Sequence, residues 1–197
     1  MTIKVFSMFS GIGGFEYGMI QSQHDFEIVA HCEIDKYANS IYDKRFYKDN
    51  DPEFRKKYWS RNYGDATKID PRALPNFDLL VAGFPCQAFS VAGLRQGLDD
   101  TRGTLFFDIA RILDNKRPRH FLLENVKGLL SHNRGETFQT ILKVLTDLGY
   151  DVEWEILNSK NFGVPQNRER VYIIGHLGGG SGRKIFPFQR DGAEINE

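Results

Sequence analysis

The sequence has little of several features that mark particular classes of protein. It contains two cysteines in 197 residues, Cys32 and Cys86, which are too few for a disulfide framework and favour a reducing compartment. No apolar run is long enough to cross a membrane, and the first residues, MTIKVFSMFSGIGG, have no signal-peptide pattern. These absences predict a soluble protein of the cytoplasm.

An excess of positive charge is also absent. Lys and Arg (26) balance Asp and Glu (26), so the formal net charge is +0, whereas nucleic-acid-binding proteins usually carry a basic excess. This balance does not exclude a nucleic-acid partner whose basic contacts lie elsewhere or on another chain. The five histidines show no metal-ligand spacing, and no nucleophile elbow or phosphate-binding GxxxxGK[ST] loop occurs. We therefore expect no metal site.

The sequence does contain the material for a folded core. Hydrophobic residues make up 41% of the chain, and short apolar runs alternate with amphipathic stretches. This alternation predicts an α/β protein with a doubly wound, mostly parallel sheet. We expect a domain over 1–177, followed by a glycine-rich linker over 178–197, the possible start of a further region. The predicted strands are 3–9, 27–33, 77–84, 119–126, 151–159 and 170–177, and the predicted helices are 15–23, 35–46, 104–116 and 136–149.

Four details of this assignment can be checked separately. Asp35 precedes the second helix at a position that suits an N-cap, and Gly149 ends the last one. The last two strands are separated by about ten residues without a helical pattern, which favours an antiparallel pair. For 47–63 we predict no regular element.

A glycine-rich turn, SGIGG, follows the first strand and precedes the first helix. Such a turn lets the backbone approach a ligand closely, and Glu33 follows the second strand, where a carboxylate can bind a ribose diol. The spacing is GxGG and differs from the GxGxxG of dinucleotide enzymes, so a nucleoside fits better than NAD. A tight turn without a ligand is the alternative.

Cys86 lies in GFPCQAFS, directly beyond a predicted strand, where ligands bind in open α/β sheets. A thiol there can act as a nucleophile or can be a small apolar filler, and composition leaves both open. Cys32, inside an apolar strand, is interpreted as a filler. Glu124 ends another strand at the same edge, and a half-buried carboxyl group there can donate a proton or form a salt bridge. Arg168 and Arg170 alternate at strand spacing, which is also typical of a solvated face.

Taken together and in this order, these signals resemble the DNA (cytosine-5)-methyltransferases, particularly the bacterial enzymes of restriction–modification systems. The resemblance covers most of the chain from Lys4 to about Gly175. It is specific because several long strings match at once. They are FSGIGGFEYGM, EIDKYA, GDATKID, GFPCQAFSVAGLRQGLDDTRGTLFFDIARI, ENVKGLLSH and PQNRERVYIIG.

The resemblance implies a Rossmann-like fold that binds S-adenosylmethionine and releases S-adenosylhomocysteine. Glu33 would take the ribose hydroxyls, Ile34 would cover one face of the adenine, and Asp65 would accept from its amino group. The other implied cofactor-binding residues are Phe9, Gly11, Ile12, Gly13, Gly14, Ala66, Pro85 and Leu105.

For catalysis, the resemblance implies Cys86 as the nucleophile and Glu124 as the hydrogen-bond or proton donor at ring nitrogen 3 of cytosine. Arg170 would contact the base carbonyl, and Arg168 would assist around Cys86 and the phosphates. The partner would be double-stranded DNA, with the target base flipped out of the helix, since methyltransferases are among the enzymes that flip bases.

Members of this family continue into a target-recognition domain and a C-terminal helix, whereas the present sequence ends at Glu197. We therefore expect a subunit of a split enzyme, a truncated product or a fragment, completed by a second chain in the first case. Three alternatives stay open from the sequence. They are a tRNA cytosine-5 methyltransferase, a non-catalytic cofactor-binding module and, least favoured, a nicotinamide-linked oxidoreductase.

Overall fold

Six strands form one mixed sheet in the part of the chain that the structure describes. This computed structural model describes residues 1–22, 24–48, 50–85, 105–178 and 185–186. The strands are β1 (Ile3–Met8), β2 (Phe26–Cys32), β3 (Leu79–Gly83), β4 (His120–Val126), β5 (Tyr150–Asn158) and β6 (Glu169–Leu177). Their order is β2-β1-β3-β4-β6-β5. The first four are parallel to one another, and β6 is antiparallel to both β4 and β5.

Helices connect the parallel strands and cover the sheet. They are α1 (Gly14–Gln21), α2 (Lys36–Phe46), α3 (Pro52–Tyr58), α4 (Leu105–Lys116) and α5 (Glu136–Asp147). Asp35 caps α2 as predicted, because its carboxylate accepts from the backbone N–H groups of Tyr37 and Ala38. Gly149 follows α5 with φ 86°, a conformation that favours glycine at the end of a helix.

Two hydrophobic cores lie on opposite faces of the sheet. On the larger side, Phe6 and Leu80 pack with α4 and α5, whose apolar residues are fully buried at Ile109 and Ile141. On the smaller side, strand residues pack against Phe15 of α1, among others. Alternate residues of each strand point to opposite faces, so this arrangement explains why the central strand β3, LLVAG, is apolar throughout. The predicted doubly wound, mostly parallel α/β sheet is confirmed.

The antiparallel pairing of β5 and β6 is confirmed, and α3 is the element that sequence reasoning missed. None of the residues of α3 is buried. Its sequence, PEFRKKY, therefore needs no apolar residues repeated at helical spacing and gives no such signal. Asp51 accepts a hydrogen bond from the backbone N–H of Phe54, and Pro52 occupies the first turn. This capping pattern was the available signal.

The topology brings the candidate residues to one edge of the sheet. The chain leaves β1 toward β2 on one side and later enters β3 on the other side, which creates a crevice at the carboxyl ends of these strands. Glu33 follows β2, Phe84 follows β3, and Glu124 lies near the end of β4. Because β6 is antiparallel, it begins at this same edge with Glu169.

None of the helices in the described ranges is long and apolar enough to cross a membrane. The predicted boundary near residue 177 stays a prediction. Three residues beyond it are described, Gly178, Ile185 and Phe186, and the backbone N–H groups of the last two donate to Glu153 Oε2 at 3.0 and 3.3 Å.

Candidate active site

The glycine turn after β1 is built by left-handed backbone conformations. Phe9, Gly11 and Gly13 have φ of 53°, 55° and 85°. A side chain at position 13 would also overlap the ring of Phe46, so this position requires glycine both for its conformation and for its packing. Gly13 donates from its backbone N–H to the carbonyl oxygen of Ser10 at 2.9 Å, and α1 begins at the next residue, Gly14.

Glu33 connects this turn to α2. Its Oε2 atom accepts from the backbone N–H of Gly11 at 2.8 Å, and its Oε1 atom accepts from the backbone N–H of Asp35 at 2.8 Å. These two bonds fix the carboxylate between the glycine turn and the start of the helix. Each carboxylate oxygen has a second lone pair, so the group can still accept from the hydroxyls of a ribose.

Two apolar side chains beside Glu33 are exposed. Ile34 is 76% exposed and Ile12 is 44% exposed, although both belong to the segments that fold against the sheet edge. Single exposed apolar residues are common, but these two flank a carboxylate that already carries two fixed hydrogen bonds. A flat ring system bound here would cover the apolar surface of these two isoleucine side chains, which water now contacts.

Asp65 and Ala66 lie at the start of a short 3-10 helix, Ala66–Lys68. Asp65 Oδ1 accepts from the backbone N–H and the hydroxyl of Thr67 at 3.0 and 2.8 Å, and Lys68 Nζ lies 3.4 Å from Oδ2. The Thr67 hydroxyl and backbone, followed by Lys68, hold the pKa of Asp65 below its ordinary value. The Ala66 side chain is buried in the larger core. Asp65 is therefore an N-cap whose Oδ2 atom can accept from a further donor.

Glu124 forms an ion pair across β4 and β6. Arg170 Nε lies 2.8 Å from Glu124 Oε1, and Arg168 Nη2 lies 4.0 Å from the same atom. The Glu124 side chain is only 22% exposed, so the guanidinium of Arg170 compensates a charge that is largely removed from water. The contact of Arg170 with the base carbonyl, which the resemblance implies, stays a prediction, and the structure shows that Arg170 pairs with Glu124.

The end of β3 lies directly beside Glu124. Gly83 is its partner in the parallel ladder, and a side-chain carbon at position 83 would sit 3.4 Å from Glu124 Oε2. Pro85, two residues later, is exposed. Cys86 lies outside the described residues, and Leu105 is half-buried as the first residue of α4.

Asn125 is a residue of this region to which sequence reasoning gave no role. It is 2% exposed, its Nδ2 atom donates to the carbonyl oxygen of Phe84 at 2.9 Å, and its Oδ1 atom accepts from the backbone N–H of Val126 at 2.8 Å. Asn125 thereby ties the segment that leads to Cys86 to the strand that carries Glu124. No local pattern marks Asn125, because it directly follows Glu124 at the polar end of the same strand.

Cys32 is buried at 1% exposure in the larger core, and burial raises its pKa to about 12. A thiol with this pKa is protonated at neutral pH and is a poor nucleophile. The interpretation of Cys32 as an apolar filler is confirmed.

A cavity of about 340 Å³ borders the ion pair of Glu124 and Arg170. Tyr172, which is the antiparallel partner of Glu124, forms part of its wall, and burial raises the pKa of Tyr172. The cavity combines cationic and apolar walls, as a site for a planar polar ring would. Its lining residues are Leu157, Ser159, Phe162, Val164, Arg168, Arg170 and Tyr172. Within the described residues, no group of three or more His, Cys, Asp or Glu residues could hold a metal ion.

Comparison with known proteins gives consistent results. A curated relative, the Type II methyltransferase M1.ScrFI of Lactococcus lactis subsp. cremoris, is 49% identical over 172 residues, which are 87% of this chain and 41% of that protein. The orphan methyltransferase M.Rho11sI of Bacillus phage rho11s is 49% identical over 173 residues, which are 88% of this chain and 33% of that protein. The chain thus spans about a third to two fifths of the length of these two relatives.

Solved structures share the fold. The crystal structure of the S. pombe Dnmt2 methyltransferase superposes with a TM-score of 0.68 at 24% identity, covering 90% of this chain and 50% of that one. The Rossmann-like methyltransferase fold that the resemblance implied is thereby confirmed. A family model described as C-5 cytosine-specific DNA methylase matches residues 3–190. With nearly its whole length matched, the chain belongs to the C-5 cytosine-specific DNA methylase family.

Proposed function

We propose that this chain carries the cofactor-binding and catalytic part of a DNA cytosine-5 methyltransferase. The observation that carries the proposal is the distribution of groups along one edge of the sheet. Glu33 and the glycine turn lie beyond β2 and β1, and the Glu124–Arg170 pair lies on β4 and β6. The end of β3, which leads to Cys86, lies between them. A methyl donor on one side and a base on the other would meet above β3.

The residues on the donor side fit S-adenosylmethionine. Glu33 offers carboxylate lone pairs to a ribose diol, Ile34 and Ile12 offer apolar surface, and Asp65 Oδ2 can accept from an adenine amino group. Phe9 and the glycine turn would line the methionine end, with Pro85 and Leu105 nearby. When bound, S-adenosylmethionine supplies an electrophilic methyl group for carbon 5 and is released as S-adenosylhomocysteine.

The residues on the other side fit the activation of cytosine. Carbon 5 of cytosine is a poor nucleophile, so the Cys86 thiolate would add to carbon 6 and move the electron pair of the ring double bond toward nitrogen 3. Glu124 in its protonated form would donate a hydrogen bond or proton to nitrogen 3 and stabilise that negative charge. After methylation a base removes the proton from carbon 5, and Cys86 leaves as the carbon 5–carbon 6 double bond forms again.

Arg170 has two tasks in this proposal. It holds the Glu124 carboxyl group through Oε1, and its guanidinium borders the cavity that could receive the flipped base. Oε2 of Glu124, which faces Gly83, would then be the oxygen that donates to nitrogen 3 of the cytosine. Arg168, farther from Glu124 and 52% exposed, suits a contact with a DNA phosphate.

Recognition of a DNA sequence would depend on residues beyond this chain. The curated relatives are two to three times as long as the region they share with it, and the chain has a formal charge of +0. A further segment or a second polypeptide would supply the basic contacts to double-stranded DNA. The site of action would be the bacterial cytoplasm, where that DNA lies.

The test is a chimera in which this chain replaces the matching 172 residues of M1.ScrFI. The chimera is incubated with S-adenosylmethionine and duplex DNA that contains 5-fluorocytosine, whose fluorine cannot be removed as the carbon 5 proton is. We expect a covalent protein–DNA complex that survives denaturation. Unfluorinated duplex and 5-fluorocytosine RNA are the controls. Trapping of the RNA alone would favour the RNA substrate, and no adduct with either would overturn the proposal.

A further inference from the structure

A short segment runs beside the end of β2 and joins the two loops that would bind adenosine. His31 and Asn62 form an isolated parallel bridge, and the backbone N–H of Tyr63 donates to the carbonyl oxygen of His31 at 2.8 Å. This contact places the Asn62 side chain next to Glu33. The chain then turns at Gly64, with φ 70°, into Asp65.

The Asn62 side chain uses its full hydrogen-bonding capacity. Its Oδ1 atom accepts from the backbone N–H of Glu33 at 3.0 Å and from that of Gly64 at 2.8 Å. Its Nδ2 atom donates to the carbonyl oxygen of Glu33 at 3.0 Å and to Asn39 Oδ1 at 2.9 Å. Two acceptor and two donor contacts are all that one carboxamide can make. One side chain therefore fixes the backbone of both loops.

The surrounding side chains fix the orientation of this amide. Asn39 Oδ1 also lies 3.3 Å from His31 Nε2, and His31 Nδ1 lies 3.1 Å from the hydroxyl of Ser60. Burial lowers the pKa of His31, so the ring is neutral, with Nε2–H donating to Asn39 and Nδ1 accepting from Ser60. If the Asn62 amide were reversed, its NH₂ group would face the N–H groups of Glu33 and Gly64.

We propose that Asn62 is a positioning residue that sets the distance between the ribose-binding and adenine-binding loops. The proposal rests on the proposed function, because it concerns the same cofactor site. Asn62 touches no cofactor atom in this proposal. It acts through Glu33, whose backbone it holds on both sides, and through Asp65, whose loop it holds at Gly64.

The test measures binding of S-adenosylhomocysteine to the 197-residue chain by calorimetry. We expect Asn62→Ala to weaken binding by about tenfold or more, because two loops lose their common anchor and four backbone or side-chain groups lose a partner. Thr137→Val is the matched control, since Thr137 is buried at the start of α5 and the substitution removes its hydrogen bond to His132. The control should bind as the wild type does.

Two altered ligands separate positioning from general destabilisation. One lacks the ribose 2′ and 3′ hydroxyls, and the other lacks the adenine amino group. Each altered ligand lacks the groups that one of the two loops would bind. If Asn62 acts through Glu33 and Asp65, Asn62→Ala should therefore reduce the affinity for each altered ligand by a smaller factor than the affinity for S-adenosylhomocysteine. If Asn62 had a purely structural role, Asn62→Ala would reduce the affinity for all three ligands by the same factor, and this result would overturn the proposal. Unchanged binding of S-adenosylhomocysteine would overturn it as well.

Asn62→Asp serves if the alanine variant does not fold. It keeps the size and one acceptor oxygen but replaces the NH₂ group by an oxygen that faces Glu33 O and Asn39 Oδ1. We expect Asn62→Asp to bind S-adenosylhomocysteine about threefold more weakly or worse, and to lose less affinity for the two altered ligands, as expected for Asn62→Ala. A wild-type chain that binds no S-adenosylhomocysteine would overturn the proposed cofactor use and this inference together. Binding by the wild type with no change in either variant would overturn only the inference.

Discussion

At the scale of single residues, the two cysteines should behave differently. Cys32 is buried in the larger core with its pKa raised to about 12, whereas Cys86 is the proposed nucleophile and comes directly after Pro85 in the sequence. Cys86→Ser in the chimera should abolish the adduct with 5-fluorocytosine DNA, since a hydroxyl is a far poorer nucleophile at neutral pH. Cys32→Ser should keep the adduct and lose about 1–3 kcal/mol of stability, the cost of a buried hydroxyl.

The measurement is the mass of the trapped peptide after proteolysis. The assignment of Cys86 is contradicted if the adduct maps to the peptide that contains Cys32, or if it survives in Cys86→Ser. Binding of S-adenosylhomocysteine should be the same in Cys86→Ser and the wild type, which shows that the variant is folded.

Glu124 can be compared with a carboxylate of similar chemistry nearby. Glu124→Gln keeps the shape and a hydrogen-bond donor but cannot transfer a proton, so single-turnover methyl transfer by the chimera should slow by about 10²–10⁴-fold. Glu169→Gln is the control, because the Glu169 side chain is 40% exposed and pairs with Lys127 at 2.9 Å. A rate within about threefold of the wild type for Glu124→Gln would remove general acid catalysis from its role.

How far these roles could be predicted differs from residue to residue. Glu33 and Glu124 could be located, because each follows an apolar run at the end of a strand. The contact between Arg170 and Glu124 could not, because it depends on the register of β4 and β6, which places Arg170 opposite Val126. Asn62 and Asn125 carry no local pattern, since an amide that joins two loops is visible only when both loops are in place.

At the scale of elements, β3 was predictable because it is apolar on both faces of a covered sheet, and β5 because its polar and apolar residues alternate. The helices α4 and α5 were predictable because each has a buried stripe. The helix α3 was not, because it buries no residue and its ends are set by Asp51 and Pro52. Local capping chemistry therefore determines an element that hydrophobic periodicity does not show.

The turn between β1 and α1 gives a prediction at this scale. Gly13→Ala should destabilise the fold by about 1–3 kcal/mol, because alanine is strained at φ 85° and its methyl group meets Phe46. The melting temperature should fall by several degrees, about 2–4 °C for each kcal/mol in a protein of this size. S-adenosylhomocysteine should bind more weakly, since Glu33 accepts from Gly11 in the same turn.

Gly18→Ala is the matched control, because Gly18 lies within α1 with no atom within 4 Å of an added side chain. Alanine is favoured over glycine in a helix, so this variant should be as stable as the wild type or more so. Equal melting temperatures for Gly13→Ala and the wild type would contradict the account of the turn.

At the scale of the whole molecule, the chemistry and the recognition of DNA would lie in different parts of the protein. The candidate groups Glu33, Glu124 and Arg170 lie at one sheet edge, and the 197 residues of the chain carry 26 positive and 26 negative side chains. A protein that binds DNA through its phosphates needs a cluster of Lys and Arg to release counterions, and a balanced surface provides few. We therefore expect this chain alone to bind duplex DNA without sequence preference and only weakly, in the range of about 10⁻⁴–10⁻⁶ M or weaker at physiological salt.

The chimera with M1.ScrFI should bind the recognition sequence of that relative more tightly than unrelated duplexes, and should bind S-adenosylhomocysteine more tightly than the chain alone. Binding is measured by fluorescence anisotropy with specific and scrambled duplexes at several salt concentrations. As the salt concentration rises, the affinity of the chain alone should decrease by the same factor for both duplexes, because phosphate contacts carry no sequence information. If instead the chain alone, with S-adenosylmethionine, protects one defined sequence from a restriction nuclease, recognition lies within these 197 residues and the division of tasks is wrong.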